Sequence, residues 1–325
     1  MAVFMLTPAV LAARRAGSWP ERVITVLLLG AAAAPVLIIF DRGGDVGFVI
    51  PFLLAFGLWL GRDPPWVAPA AVVVAASIRP QYILLALAFV ALRRWRALAA
   101  SIAVSVAIGL AAFAIWPGGF TSNVSSWWRT VATHSGVRDP VGDYPSNLSA
   151  TRSVGAIARG LGLDSVVGFL RENPVVPGTL LVLGAVVVLA WKGPSMPRAS
   201  LLVVVLALPA LVSSVSFLYY LAFVPVIAAL IVAQPAVPYA GDPAASGGAG
   251  VLARLAPSGA PWCGWAWALI VVIALSMAPI PLPAVVGGHT WVMEDIGLLW
   301  LVIVCAALVA PLLSRYATTA SQSAR

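Results

Sequence analysis

Arg79 is the most singular charged residue of the sequence, because it lies between two apolar runs in Ser77-Ile78-Arg79-Pro80-Gln81-Tyr82. A charge in such a place is costly unless a partner or water meets it. A guanidinium group matches the geometry of a phosphate group and stays charged. The segment therefore predicts a phosphate-binding arginine. The alternatives are a side chain that reaches the membrane interface and an ion pair with Asp41.

A second polar cluster, Asp41-Arg42-Gly43-Gly44-Asp45, directly follows an apolar run. Paired glycines allow the backbone to approach a ligand closely. A carboxylate there has the chemistry of a general base that deprotonates a hydroxyl group. Asp41 is therefore a candidate catalytic residue and Arg42 a candidate phosphate ligand. The alternative is a charged turn that ends a helix.

A third cluster lies in the long polar stretch 117–174. The segment Ser146-Asn147-Leu148-Ser149 is predicted to cap the helix that carries Arg152, and helix N-termini bind phosphate groups. Arg152 is thus a candidate phosphate ligand, Asp143 a candidate catalytic residue and Asn147 a candidate substrate contact. Tyr144 and Arg159 belong to the same stretch.

No metal or cofactor is predicted. His134 and His289 lie in separate loops, where each is a candidate acid or base but is more often a solvated side chain. Cys263 and Cys305 both fall inside apolar segments, which favours small buried side chains over a disulfide or metal pair. Two histidines in separate loops are a weak case for a metal site.

The elements that carry these residues are apolar. Hydrophobic residues make up 62% of the 325 and charged residues 9%, against about 25% charged in soluble domains. This composition predicts an all-α polytopic transmembrane bundle of about 10–11 helices in a single integral membrane domain, residues 1–325. The predicted apolar segments are 1–13, 23–40, 46–61, 66–78, 82–92, 97–116, 175–191, 199–215, 217–233, 262–281 and 296–314.

Segments 66–78 and 82–92 are short and are separated by Arg79-Pro80-Gln81, where Pro80 disfavours a continuous helix. They are either one broken helix or a pair of short helices. If they are a pair, one side of the membrane carries twelve of the 19 basic residues but only three of the 11 acidic ones. The positive-inside rule makes that side cytoplasmic and therefore favours the pair.

This topology predicts a multi-pass plasma (inner) membrane protein with a cytoplasmic C-terminus. Residues 117–174 form an extracytoplasmic loop with short interfacial helices, at 149–161 and after Asp164, which is a candidate N-cap. Residues 234–261 form a flexible cytoplasmic linker. The net charge of +8 does not indicate nucleic-acid binding, because the basic residues are scattered at helix ends.

Several of these motifs, in this order, resemble the actinobacterial polyprenol-phosphate-mannose-dependent mannosyltransferase-like family. The resemblance covers most of residues 20 to 235. The family belongs to the multi-span GT-C glycosyltransferases and is often labelled a domain of unknown function. The matching pieces are Asp41-Arg42-Gly43-Gly44, Arg79-Pro80-Gln81-Tyr82, Arg93-Arg94-Trp95-Arg96, Asn147-Leu148-Ser149 and Ser214-Val215-Ser216-Phe217-Leu218-Tyr219-Tyr220.

The resemblance implies a GT-C-like fold and a hexosyltransferase. The implied substrates are a polyprenyl-phosphate-linked mannose or other hexose and an envelope glycolipid or glycan. The resemblance also implies that transfer takes place at the outer face, by inversion and without a metal. Tyr219 stands where the family has histidine, which makes it a catalytic candidate. Tyr82 and Tyr220 are candidate substrate contacts.

Three departures from the family pattern bear on activity. The region of the family's catalytic aspartate is missing, in agreement with an apolar start at Met1 that resembles a truncated helix. The family's asparagine is Gly44, and a tyrosine is a poor base at neutral pH. A lipid or solute transporter or flippase, or a non-catalytic partner in envelope assembly, therefore remains an alternative to the enzyme.

Overall fold

The computed structural model describes residues 1–14, 16, 18–42, 44–136, 141, 147–213, 216–233, 263–278 and 291–323. Within these ranges the chain forms sixteen α-helices. The only β-type pairing among them is an isolated bridge between Asn147 and Phe217. The predicted all-α class is therefore confirmed. The predicted linker at 234–261 lies outside the described residues.

The first seven helices are short, because proline and glycine interrupt the apolar runs. A π-helical turn at Leu27–Ala31 precedes a 47° bend between Trp19–Ala31 and Ala34–Asp41, and 3-10 turns form at Asp45–Phe48 and Pro80–Ala86. The helices are α1 Ala2–Met5, α2 Thr7–Ala13, α3 Trp19–Val26, α4 Ala34–Arg42, α5 Ile50–Trp59, α6 Val67–Ile78 and α7 Leu87–Ala91.

The remaining helices include the longest ones. Further 3-10 turns form at Gly193–Ser195 and Leu218–Ala222. The helices are α8 Trp95–Ile115, α9 Phe120–Gly136, α10 Ala150–Gly160, α11 Asp164–Glu172, α12 Val176–Lys192, α13 Arg198–Val212, α14 Phe223–Ala233, α15 Cys263–Met277 and α16 Trp291–Ser323.

The segments on either side of Arg79 run in opposite directions. Arg79 ends α6 with an extended backbone (φ −141°, ψ 108°), because the following Pro80 disfavours helical geometry there.

At the end of the bundle away from Arg79, a Cβ on Gly193 would overlap the backbone of Ala91, the last residue of α7. Arg198 donates from Nη2 to the carbonyl of Gly57, near the end of α5 (2.9 Å). We call this end, with Gly57, Ala91, Gly193 and Arg198, the far end.

Helix α13 is the centre of the hydrophobic core. Every residue from Leu201 to Leu211 is buried, including Pro209 inside the helix. Helix α14 is buried over most of its length and packs against α13 and α5. Trp300 of α16 contributes a fully buried ring, which stands edge-on to Phe223 at 4.7 Å. Helices that are apolar all round fit the centre of a membrane bundle.

Helix α8 lies at the outside of the bundle. Of its 21 mostly apolar residues, only Ser101 is buried within the protein. A face of this kind fits contact with lipid. Asn123 of α9 donates from Nδ2 to the carbonyls of Phe113 and Trp116, so it satisfies the end of α8. The Phe113 ring also contacts Trp127 at 5.9 Å.

Two helices of the described part, Trp95–Ile115 and Val176–Ser195, are long and apolar enough to cross a membrane, and the bent pair Trp19–Ala31 and Ala34–Asp41 would make a third span. Seven shorter apolar helices of 10–17 residues accompany them. The protein is therefore an all-α membrane protein. The count of 10–11 spans and the side on which each loop lies stay predictions.

The structure corrects two local expectations and adds one helix. Leu163 rather than Asp164 occupies the N-cap of α11, and Asp164 is the first helical residue. Cys305 is a free thiol with an exposed side chain, so the prediction of a buried cysteine was wrong there. Helix α9 was not predicted. Its apolar residues nevertheless follow a helical spacing, at 120, 124, 127, 128 and 131.

Candidate functional site

The guanidinium of Arg79 forms an ion pair with Asp45. Its Nε donates to Oδ1 of Asp45 at 2.9 Å, and Nη2 donates to the same oxygen. The Arg79 side chain is 31% exposed and that of Asp45 48%, so both remain accessible from outside the protein. Arg79 thus has a partner in the predicted Asp41–Asp45 cluster. That partner is Asp45 rather than Asp41.

Local chain geometry brings these two residues together. The N–H of Gly44 donates to the carbonyl of Ile39 (3.1 Å), which closes the turn after α4 and starts the 3-10 turn at Asp45. Arg79 ends α6 because Pro80 follows it. Arg79, at the C-terminal end of α6, and Asp45, in the 3-10 turn just before α5, therefore lie together at one end of the bundle. We call this the site end; it lies opposite the far end.

Three aromatic side chains line the pair. Phe217 stacks on Tyr219 with ring centroids 5.5 Å apart, and Tyr219 lies 4.8 Å from Tyr220. The Arg79 guanidinium lies over the Tyr220 ring, with Cζ 5.8 Å from the centroid. A Cβ on Gly44 would lie 4.0 Å from the Tyr219 ring, so the turn next to Asp45 also contacts this aromatic segment.

Tyr82 lies beneath the pair and is 1% exposed. Its backbone N–H donates to the carbonyl of Arg79 (3.0 Å), in the 3-10 turn that follows Pro80. Its hydroxyl interacts electrostatically with Tyr220, Arg79 and Asp45. Of the predicted site residues, the structure thus brings together Arg79, Tyr82, Tyr219 and Tyr220.

The electrostatics of the site keep Arg79 cationic. Burial lowers the pKa of its guanidinium, but the hydrogen bonds with Asp45 and the neighbouring Tyr220 and Asp45 groups raise it, and the net pKa is above its ordinary value. A partly exposed cation can bind an anion. The aromatic rings beside it offer flat faces on which a sugar ring can stack. Asp45 occupies one edge of the cation, so a bound anion would have to share or displace it.

Asn147 organises the neighbouring part of the site end. Its Oδ1 accepts from the backbone N–H of Ser216 (2.8 Å) and of Ser149 (3.1 Å), and the residue is 2% exposed. The N–H of Leu148 also donates to the carbonyl of Ser216 (2.6 Å). These bonds join the start of α10 to the strand-like residues just before Tyr219. The role of Asn147 as a substrate contact stays a prediction.

Arg152 lies in the first turn of α10 and is only 6% exposed. Within the segment predicted to cap this helix, Ser149 is the cap, because its Oγ accepts from the N–H of Arg152 (3.2 Å). Nε and Nη1 of Arg152 are buried, and neither has a hydrogen-bond partner within the part of the chain that the structure describes. Arg152 therefore differs from Arg79, whose charge is met by a carboxylate.

The structure says less about the other candidates. Asp41 lies in the last turn of α4 with an exposed side chain. The backbones of Arg42 and His134 are helical, but their side chains lie outside the described residues, as do Asp143 and His289 entirely. The catalytic roles of Asp41, Asp143 and Tyr219 and the phosphate-binding role of Arg42 stay predictions.

Sequence reasoning missed the roles of Asp45 and Phe217. Both stood inside quoted motifs, but nothing local distinguishes Asp45 from Asp41, which is four residues earlier. A spacing of four residues in a continued helix would have put both on one face, whereas the glycines break that helix. In the described ranges, no group of three or more histidine, cysteine or acidic side chains is arranged to hold a metal ion.

Comparison with known proteins gives one match. A model described as glycosyltransferase family 87 matches residues 1–213, which is more than half of the chain. No curated protein and no solved structure matches the chain significantly. The matched range includes the Asp45–Arg79 pair, Asn147 and Arg152, and it ends before the aromatic segment at 217–220.

Proposed function

The chain belongs to glycosyltransferase family 87, and on this premise we propose that it transfers a hexose, such as mannose, from a polyprenyl-phosphate-linked donor. The acceptor is a lipid or glycan of the cell envelope. Family membership makes the protein a membrane glycosyltransferase; the donor and the acceptor are the proposed part. The observation that supports this choice of donor is Arg79, a half-exposed cation set among three tyrosines at the site end.

The proposed reaction is a single displacement. The acceptor hydroxyl oxygen attacks C1 of the sugar, and the bond between C1 and the phosphate oxygen breaks. The electron pair leaves with the polyprenyl phosphate, and a base takes the hydroxyl proton. A cation that binds the leaving phosphate lowers the barrier, because negative charge develops there in the transition state.

The residues take three roles in this proposal. Arg79, Arg42 and Arg152 bind the donor phosphate. Tyr82, Asn147 and Tyr220 shape the substrate site, Tyr220 with a ring face and Asn147 through the backbone that it holds. Asp41, Asp143 and Tyr219 are the candidate bases. Asp41 and Tyr219 lie at or beside the site end, and Asp143 lies outside the described residues.

The site end is proposed to face outward. Arg62, Arg93, Arg94, Arg96 and Lys192 cluster with Arg198 in the loops of the far end, which the positive-inside rule makes cytoplasmic. The donor phosphate would then lie at headgroup depth in the outer leaflet. The protein would be a multi-pass protein of the plasma membrane with residues 117–174 outside.

Reconstitution in liposomes tests the proposal. Purified protein receives a polyprenyl-phosphate hexose, labelled in the sugar, and an envelope lipid extract as acceptor. Labelled lipid or glycan product together with free polyprenyl phosphate is the expected result. Asp41→Asn, Asp143→Asn and Tyr219→Phe, made separately, identify the base as the variant with the largest loss of turnover at unchanged donor KM.

The alternatives have different outcomes. Movement of labelled donor across the bilayer without product would contradict transfer and support a flippase. Absence of both activities, with co-purification of an active transferase, would support a non-catalytic partner. Family membership favours the enzyme over both.

A further inference from the structure

Arg152 is a buried cation whose charge no described carboxylate meets. Its residue exposure is 6%, and its Nε and Nη1 have no hydrogen-bond partner among the described residues. The other buried polar atoms without partners in the described ranges include the hydroxyls of Ser101, Ser105 and Ser216. An unpaired hydroxyl is a modest penalty, whereas an unpaired buried guanidinium is a large one.

The position of Arg152 on its helix increases this penalty. Arg152 is the third residue after the Ser149 cap, in the first turn of α10, and that turn contains no acidic residue. Helix N-termini carry partial positive charge, so a cation there is unfavourable unless an anion is present. The helix has eleven residues, which is long enough for its dipole to place partial positive charge at the N-terminus.

The first turn also supplies donors. Ser149 Oγ accepts only the N–H of Arg152 in this turn, and the N–H groups of Ala150 and Thr151 have no acceptor within the helix. Ala150 and Thr151 are each 1% exposed. Helical side chains tilt toward the N-terminus, so the Arg152 side chain leans along this same turn.

We propose that Arg152 and the open first turn of α10 form a buried anion site that holds a phosphate group. The proposal rests on the proposed function for the identity of its ligand and assigns the tightest phosphate contact to Arg152. Arg79 shares its charge with Asp45. Arg152 has two donor nitrogens, Nε and Nη1, that nothing else in the described chain uses.

A phosphate group at this site has three sources. It belongs to an isoprenoid-linked substrate, to a membrane phospholipid, or to free phosphate. All three supply the same charge and oxygen acceptors, and they differ in the attached tail. Farnesyl phosphate, dioleoyl phosphatidic acid and inorganic phosphate are therefore the three probes, with farnesol as the control that has the tail without the phosphate.

The test measures thermal unfolding of the purified full chain in detergent with each probe, for the wild-type protein, Arg152→Met and Arg152→Lys. The expected result is that farnesyl phosphate raises the melting temperature of the wild-type protein and farnesol does not. Arg152→Met weakens farnesyl phosphate binding by about 30-fold or more, the usual loss for hydrogen bonds to a charged group. Arg152→Lys keeps the positive charge but lacks the paired N–H donors of the planar guanidinium, so it weakens farnesyl phosphate binding less.

The ligand-free melting temperature separates this proposal from a structural role. Removing an uncompensated buried cation raises the melting temperature of Arg152→Met or leaves it unchanged, whereas breaking a buried ion pair would lower it strongly. Arg159→Met, on the same helix but in its last turn, is the matched control and keeps wild-type binding. If Arg152→Met does not fold, the comparison of wild type with Arg152→Lys decides.

Each further outcome has one meaning. Preference for farnesyl phosphate over phosphatidic acid supports an isoprenoid ligand, equal binding supports a phospholipid headgroup, and competition by inorganic phosphate supports free phosphate. Equal affinity of wild type, Arg152→Met and Arg152→Lys for every probe overturns the site. Binding through Arg152 without any sugar transfer refutes the proposed function and leaves the anion site standing.

Discussion

The two ends of helix α5 each meet an arginine from a distant part of the sequence, and the two arginines meet different partners. At the site end, Arg79 pairs with the carboxylate of Asp45, just before α5. At the far end, Arg198 donates to the carbonyls of Gly57 and Leu58 at 2.9 and 3.4 Å. A carboxylate on a half-exposed cation can yield to a phosphate, whereas helix carbonyls have no other partner. The acceptor, rather than the charge, distinguishes a binding arginine from a structural one.

The largest expected effect is on transfer, in Arg79→Gln. Removing a cation from the developing phosphate charge should lower kcat by about 10²–10³-fold, while the melting temperature changes little. Initial rates with labelled donor and thermal unfolding in detergent measure both quantities. Arg62→Gln, in a far-end loop, is the control and should keep normal transfer. Normal transfer in Arg79→Gln would show that Arg79 does not bind the donor phosphate.

Substitutions at the far end should change the stability of the protein rather than its rate of transfer. A Cβ added in Gly193→Ala would overlap the backbone of Ala91, and backbone cannot move aside as a side chain can. We expect a loss of about 2–3 kcal/mol in the free energy of unfolding. Gly184→Ala is the matched control, because nothing lies within 4 Å of its Cβ position. Turnover per folded molecule should stay normal in both; a loss of turnover would connect the far end to the site.

Arg198→Met tests whether the far-end arginine is structural, because it removes the side chain that donates to the backbone carbonyls at the end of α5. Loss of its bonds to Gly57 and Leu58 should reduce the free energy of unfolding by about 2 kcal/mol. Turnover of the remaining folded protein should be unchanged. Chemical or thermal unfolding followed by intrinsic fluorescence gives the first quantity, and donor turnover gives the second. A wild-type unfolding curve would contradict the structural role.

The smallest expected effect on stability is that of Asp45→Asn. Because the pair is partly exposed, its loss should reduce the free energy of unfolding by about 1 kcal/mol or less. Asparagine keeps the shape of the side chain but no longer opposes an anion at Arg79. Donor KM should therefore fall, as measured by the concentration dependence of transfer. A higher KM would mean that Asp45 orients Arg79 rather than competing with the phosphate.

The sequence predicted the apolar helices well, because their formation is decided locally. Apolar runs in lipid must be helical, and Pro80 marks the break at Arg79 in any context. A cap within Ser146–Ser149 was also predictable, since serine and asparagine side chains just before a helix can accept hydrogen bonds from its first N–H groups. The family resemblance is likewise confirmed at the level of a glycosyltransferase family.

Pairings between distant residues were not predictable in the same way. The choice of Asp45 over Asp41 depends on how two turns 34 residues apart approach each other. The bond from Ser216 to Asn147 spans 69 residues, and no local pattern encodes it. The burial of Arg152 is also a tertiary result, because the sequence shows only an arginine in a polar stretch.

Helix α8 carries a tryptophan at each end of an otherwise apolar rod. Trp95 begins it and Trp116 follows its last residue, and both rings are largely exposed. Twenty-one residues at 1.5 Å each span about 31 Å, close to the thickness of the hydrocarbon layer. Tryptophan prefers the two headgroup levels. A thinner membrane is therefore accommodated by tilting of this outer helix, and a thicker one by local thinning of the lipid around it.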